Sequence, residues 1–483
     1  MISKSYSHWL TWTILCLSNI FKSVSSASIL QDVTPSIINN STTSKNGTGA
    51  YRVLKDSGIC ETTPGVKTYS GYIEVGRNQN MFFWFFEARN NPKTAPLTLW
   101  LSGGPGCSSM IGLFQENGPC TISPDGSSST LNPYSWNEYS HMIYVDQPIS
   151  SGFSYGKNDV HSTAQAAPKI WKFLQLLFEN PTFSKYKKAD FGLFTESYGG
   201  HYGNHPFIFL YYFVAKNKLI KSGKLQGHLI RLKALGINNG WFDPLIQYQS
   251  YYDFSQAKYN GLFDLVDQKT LKEMKTALTK ENGCLDLVKN CYKTGKVEDC
   301  RAADQFCETQ ITNPSIGNRN QYFFPNNASD TFPSISFMEY LARREVKNAI
   351  GAVSRYDVCP DAAFDKFRST GDGTRTTIPA LAKLLNQGLR TLIWAGDLDF
   401  ICNWIGVYNS IEAMSWKFKK EFRDAQWKNL EIQGSVVGIY KTAGPLTFVR
   451  VFGAGHEVAS YKPLVSLELF RQTMRQESIH DIP

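Results

Sequence analysis

Three residues, Ser197, Asp399 and His456, have the chemical types and the chain order that acyl transfer through a serine requires. Such chemistry needs a hydroxyl nucleophile, a base that removes its proton and a carboxylate that orients the base. Each residue follows a short apolar run, so each is expected at the end of a buried strand. These three residues are therefore candidates for a catalytic triad.

The segment around Ser197, residues 195–200, reads Thr-Glu-Ser-Tyr-Gly-Gly and follows the apolar run 191–194. A tight turn from a strand into a helix forces its serine into strained backbone and needs small neighbours, which Gly199 supplies. The strict pattern also has glycine two residues before the serine, where this chain has Thr195. Taken alone, the segment is also compatible with an ordinary surface turn.

Two acids compete for the second place in the triad, Asp397 and Asp399, which both follow the apolar run 391–394. Either could instead cap a helix or tie its own loop together. His456 lies between a glycine and a glutamate after the apolar run 448–452, a setting that favours a functional histidine.

Two further histidines, His201 and His205, stand close to the candidate nucleophile. They are too near Ser197 in the chain to follow the usual order, in which each triad residue comes after a strand of its own. With only eight histidines in the sequence, His456 has few rivals.

Backbone N–H groups are needed to stabilise the charge that develops on the substrate oxygen. Tyr198, the residue after the nucleophile, supplies one such group, and the glycine-rich loop 103–106 after the apolar run 97–101 can supply another. A loop of this kind can instead hold phosphate. The proline within it and the lack of a Walker lysine argue against that alternative.

The elements that must position these residues follow from the hydrophobic pattern. Continuous apolar runs predict strands buried on both faces: 97–101, 142–145, 191–194, 232–237, 391–394 and 448–452. Helical patterns at 164–178 and 381–389 lie between some of them. Alternating strands and helices predict an α/β fold with an open, mostly parallel sheet, whose ligands bind at the carboxyl ends of its strands.

Residues 242–375 break this alternation, and we interpret them as an insertion that caps the sheet. It contains four cysteines, Cys284, Cys291, Cys300 and Cys307, at spacings of 7, 9 and 7, which permit nested disulfides. A zinc cluster is the alternative, but the spacings do not fit and no histidine lies among them.

The N-terminus predicts a signal peptide over residues 1–27 and a flexible leader, rich in Ser, Thr and Asn, over 28–50. Glycosylation sequons occur at Asn39, Asn40, Asn46 and Asn327. No later stretch is long and apolar enough to span a membrane. The net charge of +9 is spread without a long basic run, so nucleic acid is not expected as a partner. We expect a protein of the secretory pathway, either secreted or vacuolar/lysosomal, with disulfides.

Five segments together resemble the serine carboxypeptidase family, in particular a fungal secreted branch: 100–109, 146–148, 196–200, 396–399 and 455–456. The resemblance implies an α/β-hydrolase fold with a mostly parallel central sheet, built from 51–241 and 376–483, and a disulfide-bonded cap insertion, 242–375. It implies release of C-terminal amino acids from peptides or proteins through an acyl-enzyme, without cofactor or metal. It favours Asp399 over Asp397 as the orienting acid.

The same resemblance implies Gly104 and Tyr198 as donors of the oxyanion hole. It implies a binding site for the substrate's C-terminal carboxylate, made from four residues: Ser102, Gly103, Glu116 and Glu196. Two neighbouring carboxyl groups do not both ionise readily, so one can stay protonated and donate a hydrogen bond to that carboxylate. We therefore expect an acidic pH optimum. Ser102 replaces the family's usual asparagine, and serine has one donor and a shorter reach, so carboxylate binding is expected to be weaker.

The resemblance also implies the disulfide pairs Cys60–Cys120, Cys107–Cys359, Cys284–Cys307 and Cys291–Cys300, with Cys402 left as a free thiol near the substrate pocket. Glu457 is expected to face the pocket of the leaving residue and to favour a basic one. Two other functions stay open: acyl transfer to an alcohol by the same triad, and peptide binding without catalysis.

Overall fold

The computed structural model describes residues 50–202, 209–256, 266–330 and 332–482, together with short strands at 36–40, 43–44, 47–48, 258–259 and 263–264. The predicted signal peptide 1–27, the sequon at Asn46 and His205 lie outside the described residues, as do the side chains of Asn39 and Asn40. Asn327 is exposed.

The described residues contain strands and helices that we number in chain order. The strands are β1 Ser36–Asn40, β2 Thr43–Ser44, β3 Gly47–Thr48, β4 Tyr51–Lys55, β5 Thr68–Gly76, β6 Gln79–Phe86, β7 Leu97–Leu101, β8 Cys120–Ile122, β9 Ser129–Leu131, β10 His141–Val145, β11 Tyr155–Gly156, β12 Asp190–Glu196, β13 Arg231–Asn238, β14 Lys258–Tyr259, β15 Phe263–Asp264, β16 Arg390–Gly396, β17 Lys428–Ile432, β18 Ser435–Ala443 and β19 Leu446–Val451.

The α-helices are α1 Thr163–Glu179, α2 Gly199–Tyr202, α3 Phe209–Lys221, α4 Pro244–Ser255, α5 Gln268–Thr279, α6 Cys284–Thr294, α7 Val297–Cys307, α8 Asn313–Ile316, α9 Ser336–Ala342, α10 Arg344–Ile350, α11 Asp361–Arg368, α12 Ile378–Asn386, α13 Trp404–Ala413, α14 Lys419–Asp424, α15 Val458–Tyr461 and α16 Pro463–Met474. Two π-helical turns, Gly112–Asn117 and Glu308–Thr312, and three 3-10 turns, Trp136–Glu138, Ser184–Lys188 and Asp372–Thr374, complete the helical structure. None of these described helices has the length and apolar character needed to cross a membrane.

A 13-stranded sheet forms the centre of the fold, in the order β1-β4-β5-β6-β10-β7-β12-β13-β16-β19-β18-β17 with β11 beside β6. The block from β10 to β19 is parallel, and its six strands are the six predicted from apolar runs. The predicted α/β fold is thereby confirmed. The strands on either side of this block pair antiparallel and were not predicted, so the sheet as a whole is mixed.

Burial on both faces explains why the parallel strands appear as continuous apolar runs. All five residues of β7 are buried. Successive side chains of a strand point to opposite faces, so Leu99 packs in the cluster covered by α1, α3 and α12, whereas Trp100 packs in the cluster with α16. The two predicted helices correspond to α1 and α12, but α12 ends at Asn386 rather than at residue 389.

Helices α4 to α11 lie between β13 and β16 in the chain and contribute to a third hydrophobic cluster, which also includes Phe400 after β16. Two nested disulfides, Cys284–Cys307 and Cys291–Cys300, lie within this segment. Cys107–Cys359 joins the glycine-rich loop after β7 to the segment, and Cys60–Cys120 joins two parts of the chain before it. The pairing is the one that the family resemblance implies; the segment boundaries at 51, 242 and 376 stay predictions.

Candidate active site

Ser197 occupies the sharp turn between β12 and α2, with φ of 60°, which non-glycine residues rarely adopt. Its N–H donates to the carbonyl of Asn238 at 3.0 Å. Its carbonyl accepts from the N–H groups of Gly200 at 3.0 Å and Trp241 at 2.9 Å. Backbone hydrogen bonds on both sides therefore hold the serine in this strained conformation at the carboxyl end of its strand.

Thr195, which departs from the strict sequence pattern, fits because of Gly199. A Cβ atom added at Gly199 would lie 2.4 Å from the Cβ of Thr195, far inside van der Waals contact. One of these two positions must therefore be glycine, and this chain keeps the glycine after the serine. A Cβ at Gly200 would meet the carbonyl oxygen of Trp241 at 2.5 Å, so the turn packs tightly on the loop that follows β13.

His456 and Asp399 are in direct contact. Nδ1 of His456 lies 2.9 Å from Oδ2 of Asp399, and both side chains are buried. The same oxygen accepts from the side-chain amide of Asn239 at 2.8 Å and from the N–H of Cys402 at 3.1 Å. The acid thus orients the imidazole and is itself held by two donors.

Asp397, the competing acid, is engaged elsewhere. Its carboxylate pairs with Arg450 at 3.2 Å and accepts from the N–H of Gly453 at 2.9 Å. It therefore ties together the loops after β16 and β19, while Asp399 is the acid that contacts His456.

The parallel strands of the sheet bring the serine and the histidine to the same edge, at the carboxyl ends of the strands. Ser197 follows β12 and His456 follows β19, with β13 and β16 between these two strands. The side chain of Asn238, the last residue of β13, donates to Oε2 of Glu196 and to the carbonyl of His456, both at 2.8 Å. This one amide fixes the loops that carry the nucleophile and the base.

Several charges act on the imidazole of His456. Burial alone would lower its pKa, but the Asp399 carboxylate, assisted by Glu196 and Glu457, raises the pKa to about 9. The imidazolium that forms when the histidine accepts a proton is therefore stabilised. Protonation of Glu196 and Glu457 removes two of these charges and so lowers the pKa of His456, which offsets part of this stabilisation of the imidazolium.

The glycine-rich loop after β7 lies directly against the nucleophile. A Cβ at Gly103 would lie 2.7 Å from the Cβ of Ser197 and 2.6 Å from the N–H nitrogen of Tyr198. Gly104 has φ of 107°, a conformation that favours glycine. Among the described residues, the N–H groups of Gly104 and Tyr198 donate to no protein acceptor, so both are available to a ligand.

Asp146 holds the glycine-rich loop in place through hydrogen bonds. Its buried carboxylate accepts from the Ser108 hydroxyl at 2.6 Å and from the N–H groups of Ser109 at 3.2 Å and Phe153 at 2.8 Å. Burial raises its pKa to about 7 in spite of these donors. The Asp-Gln-Pro segment of the sequence therefore supports the loop rather than the reaction itself.

Glu116 and Glu196 form a buried carboxyl pair. Among the described residues no donor contacts either carboxyl oxygen of Glu116, and its neighbour is the carboxyl group of Glu196. Burial and the charges of Glu196 and Glu457 raise the pKa of Glu116 well above its usual value, and burial also raises the pKa of Glu196. The two groups can hydrogen-bond to each other only when one of them is protonated.

Glu457 belongs to the same cluster, a placement that the sequence did not indicate. Burial and the charge of Glu196 raise its pKa to about 8. Its Oε2 accepts from the Ser460 hydroxyl at 3.4 Å. Three carboxyl groups thus converge beside His456, and we refer to Glu116, Glu196 and Glu457 as the carboxyl cluster.

Ser102 is buried at the end of β7, and its hydroxyl accepts from Nε1 of Trp100 at 3.1 Å. One lone pair is thereby used, while the hydroxyl proton can still be donated to a ligand. Cys402 is the free cysteine of the described residues, and its buried thiol lies within hydrogen-bonding reach of the Ser197 side chain. Burial and the charge of Asp399 raise its pKa well above the usual value.

Sequence reasoning missed Asn238 and Asn239, although both contact triad loops. The available signal was their position, because two amides directly follow the buried run 232–237. Polar residues at that place in a parallel sheet lie at the ligand-binding edge.

Comparison with known proteins identifies the family of this chain. The family model described as "Serine carboxypeptidase" matches residues 58–476. The chain is 44% identical over 429 residues to "Carboxypeptidase S1" of Penicillium janthinellum, covering 88% of this chain and 99% of that protein. It is 33% identical over 514 residues to "Carboxypeptidase S1 homolog B" of Arthroderma otae, covering 90% of this chain and 77% of that protein.

Among solved structures, the fold is similar to that of Kex1(delta)p, described as a prohormone-processing carboxypeptidase from Saccharomyces cerevisiae. The TM-score is 0.72 at 23% sequence identity, covering 88% of this chain and 96% of the other. At this identity the likeness concerns the fold.

Proposed function

The chain belongs to the serine carboxypeptidase family, and we propose that Ser197, His456 and Asp399 are the triad with which it releases C-terminal amino acids from peptides. The observation that carries this proposal is the Asp399–His456 contact at 2.9 Å, at the same sheet edge as the strained Ser197 turn. This arrangement supplies a nucleophile, a base and an orienting acid.

In the first half of the reaction, Oγ of Ser197 attacks the carbonyl carbon of the last peptide bond while His456 accepts the hydroxyl proton. The N–H groups of Gly104 and Tyr198 stabilise the resulting oxyanion. His456 then gives the proton to the leaving amine, the C–N bond breaks and the C-terminal amino acid departs. Water, activated by the same histidine, hydrolyses the ester of Ser197 and restores the enzyme.

Specificity for the chain end requires a group that recognises a free carboxylate. We assign this role to Ser102, Gly103, Glu116 and Glu196, which lie beside the nucleophile turn. Glu116 and Glu196 are buried, and although His456 acts to lower the pKa of Glu196, burial outweighs this effect; the raised pKa values of the two groups favour a shared proton. A protonated pair donates to the substrate carboxylate, whereas an ionised pair repels it. This arrangement supports an acidic pH optimum.

Glu457 and Cys402 border the reacting groups on different sides. Glu457 directly follows the base and belongs to the carboxyl cluster, so it lies where the leaving residue must fit between His456 and the carboxylate site. A basic leaving residue beside Glu457 would lower the pKa of this carboxyl group, so the ion pair that forms in the complex favours such a residue. The thiol of Cys402 contacts the nucleophile and lines the pocket there.

The disulfides and the exposed Asn327 support residence in the secretory pathway, either outside the cell or in a vacuolar/lysosomal compartment, because disulfides persist in oxidising compartments.

The test is incubation of the purified protein with N-blocked dipeptides at acid pH, with free amino acids quantified for wild type and Ser197→Ala. We expect release by the wild type alone, together with labelling of Ser197 by an organophosphonate. An alcohol added to the assay reveals acyl transfer, because an ester would then replace the blocked acid as product. Correctly folded protein that is neither labelled nor active would favour a peptide-binding role and would refute the proposal.

A further inference from the structure

A loop of the predicted cap insertion contacts the residue that follows the nucleophile. Asp372 lies in the 3-10 turn Asp372–Thr374, and its Oδ2 accepts a hydrogen bond from the hydroxyl of Tyr198 at 2.8 Å. Both side chains are 8% exposed. The backbone N–H of Tyr198 is the proposed oxyanion donor. Asp372 therefore holds the side-chain hydroxyl of the same residue whose backbone contacts the reacting atoms.

Asp372 is itself fixed by the main body of the fold. The same Oδ2 accepts from the N–H of Thr163 at 3.1 Å and from its hydroxyl at 2.7 Å, at the first turn of α1. The imidazole of His201 is close enough for this carboxylate to act on its pKa, which burial nevertheless lowers overall. Three hydrogen bonds to one oxygen of Asp372 thus join α1, the loop and the nucleophile turn.

A second link runs beside the first. Nε1 of Trp241 donates to the carbonyl of Gly373 at 2.8 Å, and the backbone N–H of Trp241 donates to the carbonyl of Ser197 at 2.9 Å. A Cβ at Gly373 would lie 3.3 Å from Cε2 of Tyr198, so the loop packs closely on the tyrosine ring. The loop therefore holds the nucleophile turn at two points.

The loop packs against the inner disulfide of the insertion, Cys291–Cys300. A Cβ at Gly371 would lie 2.5 Å from the Cβ of Cys300. The sulfur of Cys291 lies 3.7 Å from the carbonyl oxygen of Thr374. The loop is thus supported from behind, and Asp372 has a fixed position from which to hold Tyr198.

We propose that Asp372 is a positioning residue of the oxyanion hole, which acts by holding the hydroxyl of Tyr198 and thereby aiming the Tyr198 N–H at the developing oxyanion. The inference rests on the proposed function, since it concerns the same reaction. The backbone at Ser197 is strained and relaxes if its surroundings loosen. A donor displaced by a fraction of an ångström loses much of its value in the transition state, while substrate binding changes little.

The experiment is a double-mutant cycle with Asp372→Ala and Tyr198→Phe. Each single variant should lower kcat by about 10- to 100-fold with KM nearly unchanged, which is the scale for a misplaced catalytic donor. The double variant should be no slower than the slower single variant. Binding of a peptide aldehyde, whose adduct with Ser197 places an oxyanion in the hole, should weaken by the same factor. Asp372→Asn keeps an acceptor oxygen and should restore most of the activity.

Tyr292→Phe is a matched control, because the Tyr292 hydroxyl donates to Asp243 at 2.9 Å in a similar bond within the same insertion. It should lower the melting temperature without changing kcat. If Asp372→Ala does not fold, the Tyr198→Phe variant alone tests the inference, since it removes only one hydroxyl. The inference is overturned if both variants keep the wild-type kcat and aldehyde affinity. A wild type that releases no amino acid would instead refute the proposed function and the inference with it.

Discussion

Oδ2 of Asp399 lies 2.9 Å from Nδ1 of His456 and also accepts hydrogen bonds from Asn239 and Cys402, whereas Oδ1 contacts no donor among the described residues. The oxygen that contacts the imidazole is therefore also the oxygen that the protein donors hold in place. The protein donors fix the carboxylate from behind, so its position does not depend on the substrate.

Asp399→Asn should leave the fold intact and remove the charge that selects the productive imidazole tautomer. We expect kcat to fall by roughly four orders of magnitude, as in other triads, with a modest change in KM. Steady-state hydrolysis of a blocked dipeptide measures both. Asp397→Asn is the matched control, since Asp397 pairs with Arg450, and it should keep most of the activity. If Asp397→Asn lost more activity than Asp399→Asn, Asp397 rather than Asp399 would be the orienting acid.

The carboxyl cluster should make kcat/KM fall as the pH rises. The pKa values of Glu116 and Glu196 are raised, and that of Glu457 is raised to about 8. Glu116 and Glu196 therefore share a proton at low pH and donate to the substrate carboxylate; they ionise, and repel it, as the pH rises through their raised pKa values.

Glu116→Gln keeps a neutral donor that has no proton to lose, so its kcat/KM should decline less steeply on the alkaline side. A pH series with the wild type and this variant measures the difference. Substrates with a C-terminal amide in place of the carboxylate are the control and should show a weaker alkaline decline. A wild-type profile flat from acid to alkaline pH would contradict the prediction.

Ser102→Asn should strengthen carboxylate binding. The asparagine oxygen can keep the bond from Trp100, while its amide adds a donor with longer reach. We expect KM for peptides to fall by about 3- to 10-fold, on the scale of one hydrogen bond, with kcat unchanged. Ser102→Ala, which removes the existing donor, should raise KM. Equal KM values for wild type and Ser102→Ala would show that this hydroxyl does not contact the substrate.

Glu457→Gln should reduce the preference for a basic leaving residue. Loss of a charge-assisted hydrogen bond should lower kcat/KM for a peptide ending in Arg by about tenfold, while the value for a peptide ending in Leu stays near that of the wild type. Parallel assays of the two peptides give the ratio. Comparable kcat/KM for the two in the wild-type enzyme would rule out this role of Glu457.

Gly199→Ala should destabilise the nucleophile turn, because the added Cβ would meet the side chain of Thr195. We expect a loss of about 1–3 kcal/mol in the free energy of unfolding, as for other overpacked sites, and a lower kcat. Thr195→Gly in the same chain should restore most of both, whereas Thr195→Gly alone should be nearly neutral. Thermal unfolding and steady-state kinetics of the three variants test this; additive losses in the double variant would contradict it.

Much of the fold could be predicted because burial leaves a direct mark on the sequence. The six strands of the parallel block are covered on both faces, so each appears as a continuous apolar run. The antiparallel strands outside this block were not predicted, although one of them, β6, has the same mark, since residues 81–86 form a continuous buried apolar run. Helix α12 was predicted three residues too far along the chain, over 381–389 instead of Ile378–Asn386, since the apolar spacing continues to Leu389.

The sequence by itself determined the identity and order of the candidate triad, because each residue follows a recognisable buried strand and the motifs together resemble one family. It could not decide which acid contacts His456 from position alone, since Asp397 and Asp399 are two residues apart and only their partners distinguish them. It also gave no sign that Glu457 joins Glu116 and Glu196, or that Asp372 reaches Tyr198. Those contacts join residues distant in the chain, and only the packing of the tertiary structure places them within reach of one another.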